Sequence, residues 1–138
     1  MTRVKEFSVD NVFINRWSSR AMSGENISDE ELMTLFEAAK WAPSSRNEQP
    51  WKFIYAKREN IEQWQTFLSI LAPSNELWAK NAAVLILVIS KKTFDKDNSI
   101  NMHNAFDAGA AWENLALQAS MKNFVAHAMG GKIGRAHV

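Results

Sequence analysis

The sequence contains no cysteine among its 138 residues, which rules out disulfide frameworks and thiolate metal sites. It also lacks any run approaching the ~20 apolar residues of a membrane-spanning helix; the longest, residues 82–89, is strand-sized. No apolar segment follows the basic residues Arg3 and Lys5, so no secretory signal is expected and cytoplasm is the default location. A surplus of one charge sign is missing too. The net charge is +1, with Lys and Arg scattered along the chain, which argues against a nucleic-acid or anionic-membrane binder. There is no Gly-x-Gly-x-x-Gly loop for a dinucleotide pyrophosphate, and no His/Asp/Glu set with metal-ligand spacing. Internal repeats and low-complexity linkers are absent as well.

What the chain does have is apolar mass. Hydrophobic residues make up 46% of it, with six Trp and eight Phe, enough for the core of one domain. Ser8 or Asp10 caps a short first helix through Val12, Phe13 and Ile14. Ser28 and Glu31 form a capping box ahead of Leu32, Leu35, Phe36 and Ala39, which share one helical stripe. Pro43 ends that helix, because the residue before a proline is pushed out of helical geometry. Residues 51–56 alternate as a half-buried strand, and Asn60 caps a helix carrying Ile61, Trp64, Phe67, Leu68 and Leu71. Pro73-Ser74-Asn75 breaks that helix, and a short turn through Trp78 leads to residues 83–90. These are apolar on both faces, the mark of a central strand. Residues 101–121 form the longest helix, small and apolar on nearly every side, so it is expected to be buried against a sheet or a partner subunit. Residues 124–129 start another strand. The order of elements is that of an α+β layer arrangement.

Two polar clusters sit beside these elements. Arg16-Trp17-Ser18-Ser19-Arg20 places two guanidinium groups four residues apart with hydroxyls between them. Such a segment grips a phosphate through charge-assisted bonds, or it is a solvated helix cap. In the second, Pro43-Ser44-Ser45-Arg46-Asn47-Glu48-Gln49-Pro50, two prolines stiffen a loop dense in hydroxyls and amides. It presents fixed donors and acceptors to a polar ring edge, or it satisfies its own backbone as a turn. His103 and His127 read as structural or loop histidines, and no side-chain nucleophile or general base stands out.

Together the clusters resemble the nitroreductase family. Its members carry Arg-x-Ser-x-Arg/Lys after the first helix, here Arg16, Ser18 and Arg20, and then Pro-Ser-Ser-x-Asn-x-Gln-Pro-Trp, here residues 43–51 without mismatch. Residues 75–80, 107–119 and 126–131 also resemble family segments, so the likeness runs over residues 7–131. It implies an α+β, three-layer fold: a mainly antiparallel sheet with helices on both faces, incomplete at the C-terminus. It also implies a homodimer holding FMN in the subunit interface and NAD(P)H as the electron donor. Carried over residue by residue, Arg16, Ser18 and Arg20 resemble the phosphate and ribityl contacts, with Trp17 contributing main chain. Pro43, Ser44, Ser45 and Asn47 resemble the loop that meets the flavin of the other subunit, and Asn75 the amide at the ring's pyrimidine edge. Met129, Gly130 and Gly131 resemble the main chain near flavin N5, where glycine permits close approach.

The implied activity is hydride transfer from NAD(P)H through the flavin to nitroaromatics, quinones or similar acceptors. The alternatives are other chemistry on the same scaffold, such as dehalogenation, azoline oxidation or flavin fragmentation, and a non-catalytic flavin-binding or interaction protein. Residues 1–131 are expected to be a partial FMN-binding domain. The closing residues 132–138 match one frame of a common sequencing-adapter oligonucleotide and are expected to be a non-native tail. The family continues for a further strand, a helix and more basic residues, so the chain as given is not expected to make a stable, active dimer.

Overall fold

A computed structural model describes residues 3–130. Its elements in chain order are α1 (Asn11–Asn15), α2 (Asp29–Lys40), a 3-10 turn (Ser45–Asn47), β1 (Trp51–Lys57), α3 (Ile61–Ser69), α4 (Pro73–Ala79), β2 (Val84–Ser90) and α5 (Asn104–Met121). β1 and β2 pair antiparallel, with Trp51 opposite Ser90 and Lys57 opposite Val84.

The pleat of this ribbon sorts side chains into two cores. Trp51, Phe53, Val84 and Ile86 face one side, where they meet Leu32, Leu35 and Ala39 of α2 and Ala111, Leu115 and Ala119 of α5. Phe36 stacks on Phe53 there, ring centres 5.4 Å apart. Ala56 and Leu85 face the other side and meet Trp64 and Leu68 of α3 and Ala79 of α4. Helices therefore cover both faces, giving the three layers expected. They also account for the unbroken apolar run of β2: each face has a helix to bury against, although among the described residues β2 has one strand neighbour and not two. Leu32 is fully buried at the centre of the first core.

Local signals set most of the boundaries. Asp10 caps α1 by accepting from the Val12 N–H. Ser28 and Glu31 close the full capping box, and Asn60 caps α3 through the Gln63 N–H. Two expectations need correction. Pro73-Ser74-Asn75 does not lead into a turn; it opens α4, with Pro73 in the first helical turn, where its missing N–H leaves no bond unmade. Residues 124–129 form no strand. α5 ends in a left-handed Asn123 (φ 61°), with the Phe124 N–H bonded back to the Ala119 carbonyl and the Asn123 N–H to Ser120. This Schellman closure seats Phe124 against the first core and leaves the chain beyond it irregular. No helix among the described residues is long and apolar enough to cross a membrane.

Candidate functional site

Arg16 follows α1 in extended conformation and lies half-buried against α5, its Nε 3.7 Å from Glu113 Oε1. Its Nη1 is buried and has no hydrogen-bond partner among the described residues. A guanidinium N–H in that state is costly unless an acceptor reaches it. Beside it opens a cavity of about 440 Å³ lined by Arg16, Trp17, Ser120, Asn123 and the chain at residues 124–126. Trp17 is about half exposed, Ser18 is exposed, and Ser19 is buried.

Arg20 leaves this segment toward α4, its guanidinium 5.9 Å from the centre of the Trp78 ring. His127 lies on the same ring at 4.4 Å, and its Nδ1 is 3.1 Å from the Ser19 carbonyl. Asn75, half-buried, stands one helical turn before Trp78 on α4. Met129 packs with Trp78 against the second core, while Gly130 is exposed and a Cβ there would meet nothing within 4 Å. Gly131 lies outside the described residues, as do 132–138. The structure thus gathers Arg16, Trp17 and Arg20 with the chain after α5, and links that group to α4.

The second cluster lies elsewhere. Ser44 caps the 3-10 turn in extended conformation, and its Oγ accepts from the Gln49 N–H at 3.0 Å. The Ser45 N–H donates to Asp107 Oδ2 at 3.0 Å. Asn47 is exposed, its Oδ1 accepting from Gln49 Nε2 at 3.1 Å. Pro43, Ser44 and Ser45 wall a second cavity of about 330 Å³ with His103, Phe106 and Asp107 at the start of α5. The first cavity reaches α5 at Ser120 and Met121, near the helix's other end. Asp107 and Ser120 are separated by about 20 Å of helix axis, at about 1.5 Å per residue. Within one chain the two clusters do not meet.

Sequence reasoning missed Asp107 and underread His127 and Trp78, whose partners lie far along the chain. Asp107 did leave a signal: it is a carboxylate in a helix otherwise small and apolar on the buried side.

The model of the nitroreductase family matches residues 14–135. The chain belongs to that family. A crystal structure described as an oxidoreductase containing FMN is 44% identical, with a TM-score of 0.88 over 94% of this chain and 67% of that one. An FMN-dependent nitroreductase from Clostridium difficile is 26% identical, with a TM-score of 0.64 over 81% of this nitroreductase-family chain and 60% of its own. A protein of Archaeoglobus fulgidus named for NADH dehydrogenase/NAD(P)H nitroreductase activity is 34% identical over 111 residues, 75% of this chain. This chain spans 56% of the length of that relative.

Proposed function

We propose that this chain is the FMN-binding part of a cytoplasmic, NAD(P)H-dependent oxidoreductase that reduces nitroaromatics, quinones or similar acceptors as a homodimer. The observation that carries the proposal is the buried Nη1 of Arg16, without a hydrogen-bond partner among the described residues, beside a cavity. A phosphate supplies the anionic acceptor that such a nitrogen lacks. The FMN-containing relatives support that choice of ligand.

Arg16 and Arg20 would hold the phosphate with the Ser18 hydroxyl, and Trp17 would contribute main chain. Asn75 would bind the pyrimidine edge of the ring, with the main chain of Met129, Gly130 and Gly131 beside it. Pro43 would shape the loop from which Ser44, Ser45 and Asn47 reach the cofactor of a second copy. The separation of the two clusters along α5 favours that division: a two-fold pairing with the two α5 helices antiparallel would bring one chain's loop beside the other's arginines. The cofactor, when bound, supplies a ring that takes up a hydride and passes it on. The chain's part is to bind, orient and exclude water.

The test has two readouts. Cofactor released by acid from the purified full-length protein should be FMN, because the chain has no dinucleotide fingerprint; FAD would contradict the assignment. Initial rates with NADH and a quinone should give parallel, ping-pong lines, since donor and acceptor use one site in turn. Intersecting lines would show both bound at once.

A further inference from the structure

The loop that carries Ser44 and Ser45 is held in an unfavourable shape. Arg46, Asn47 and Gln49 have φ of 55°, 56° and 51°, the left-handed region that asparagine tolerates but that arginine and glutamine avoid. Such a conformation persists only where its surroundings over-determine it. Several contacts do so from outside or within the loop. Arg46 lies over the Phe94 ring at 4.8 Å, Glu48 Oε1 accepts from the Asp95 N–H at 2.5 Å, and Gln49 bonds to both Ser44 and Asn47. These tie the loop to itself and to a surface segment.

One contact ties it to the core. Asp107 is 3% exposed, on the first turn of α5, and the one hydrogen bond of its carboxylate among the described residues is the Ser45 N–H. Burying a carboxylate is costly, and an apolar residue would pack in its place without that cost. Its neighbours on the buried side of α5, Ala108 and Ala111, are both apolar. What the carboxylate adds is an acceptor aimed at the first N–H of the 3-10 turn, which has no partner within the turn.

We propose that Asp107 is a positioning residue: it fixes the Ser44–Gln49 loop against α5 in the form that presents Ser44 and Ser45 to the cofactor. The loop-fixing part stands on geometry alone; the cofactor part rests on the FMN assignment above.

The experiment, made in the full-length protein, compares Asp107→Ala, which removes the acceptor and suits a helix, with Asp107→Asn, which keeps an amide oxygen in place. Two quantities are read: hydrogen exchange at the Ser45 amide, and FMN affinity by flavin fluorescence. In Asp107→Ala both Ser45 protection and FMN affinity should fall by about tenfold or more, while amides of α2 and α5 keep their protection. Asp107→Asn should restore both to within about threefold of the parent. A merely structural role would not single out Ser45 or be rescued by the amide. Parent-like FMN affinity in Asp107→Ala with Ser45 protection lost would overturn the proposal, as would an Asn variant as impaired as the Ala variant. If Asp107→Ala loses protection throughout, the Asn variant decides. Protection of Ser45 with near-parent affinity supports the role, and protection lost with affinity intact refutes it. Should the parent itself take up no FMN, the cofactor assignment fails, while unchanged Ser45 exchange in Asp107→Ala would separately refute the loop-fixing role.

Discussion

The Nδ1 of His127 lies 3.1 Å from the carbonyl oxygen of Ser19, joining positions 108 residues apart. A carbonyl only accepts, so Nδ1 carries the hydrogen in this bond. The same imidazole rests on Trp78, which Arg20 approaches at 5.9 Å. One ring thus holds the arginine segment, α4 and the chain after α5 together.

His127→Ala should therefore destabilise the protein by about 1–2 kcal/mol, the combined worth of a partly buried hydrogen bond and a ring contact. Urea denaturation checks it. The midpoint should fall with little change in slope. An unmoved midpoint would mean that the Ser19 segment is held by other contacts.

Ser28→Ala should cost about 1 kcal/mol, the usual worth of a helix N-cap. The loss should also depend on pH. The Ser28 side chain, and then its backbone N–H, hold the Glu31 carboxyl below the ordinary carboxylate value. The unfolded chain therefore takes up this proton before the folded chain as pH falls. The stabilisation is complete above the ordinary carboxylate range and disappears as pH drops through the lowered folded value. In urea melts from about pH 6 to about pH 3 the gap between parent and variant should narrow toward the acid end, leaving the part due to the bond from the Glu31 N–H to Ser28 Oγ, which does not titrate. A constant gap would show that the box draws nothing from the charge of Glu31.

These capping signals explain why much of the fold was legible in the sequence. Ser28, Glu31 and Asn60 act within one helical turn, so α2 and α3 could be read from neighbours alone. Pro73 misled because a proline that cannot continue a helix is equally suited to starting one. The chain at 124–129 misled because its apolar residues serve a helix closure and a core contact, with no strand to pair against among the described residues. In the site, residue type and spacing left Arg16 either a phosphate ligand or a solvated helix cap, and the ligand role came from the family resemblance. That Asp107 meets Ser45, or His127 meets Ser19, depends on contacts 62 and 108 residues apart, which no local pattern encodes.

In the full-length protein Arg16→Ala should weaken FMN binding by about 1.5–3 kcal/mol, the range for a hydrogen bond to a charged group. The fold should survive, because the ion pair with Glu113 spans 3.7 Å and is partly exposed, and such pairs contribute little. Flavin titration followed by fluorescence, beside a urea melt, separates the two effects. Unchanged flavin affinity would make Arg16 an ordinary helix-end residue.

The measurement that bears most directly on the shared site is complementation between two defective chains. Both are full-length proteins; one carries Arg16→Ala and the other Ser44→Ala with Ser45→Ala, and each alone should bind FMN poorly. If the arginines of one copy and the loop of its partner form one site, a mixed pair contains one site with every residue intact. Mixing the chains in equal amounts should then restore about a quarter of the parent's tight sites, since half the pairs are mixed and each has one intact site in two. No recovery on mixing, with subunit exchange confirmed by mass, would contradict a cofactor site built from both ends of α5.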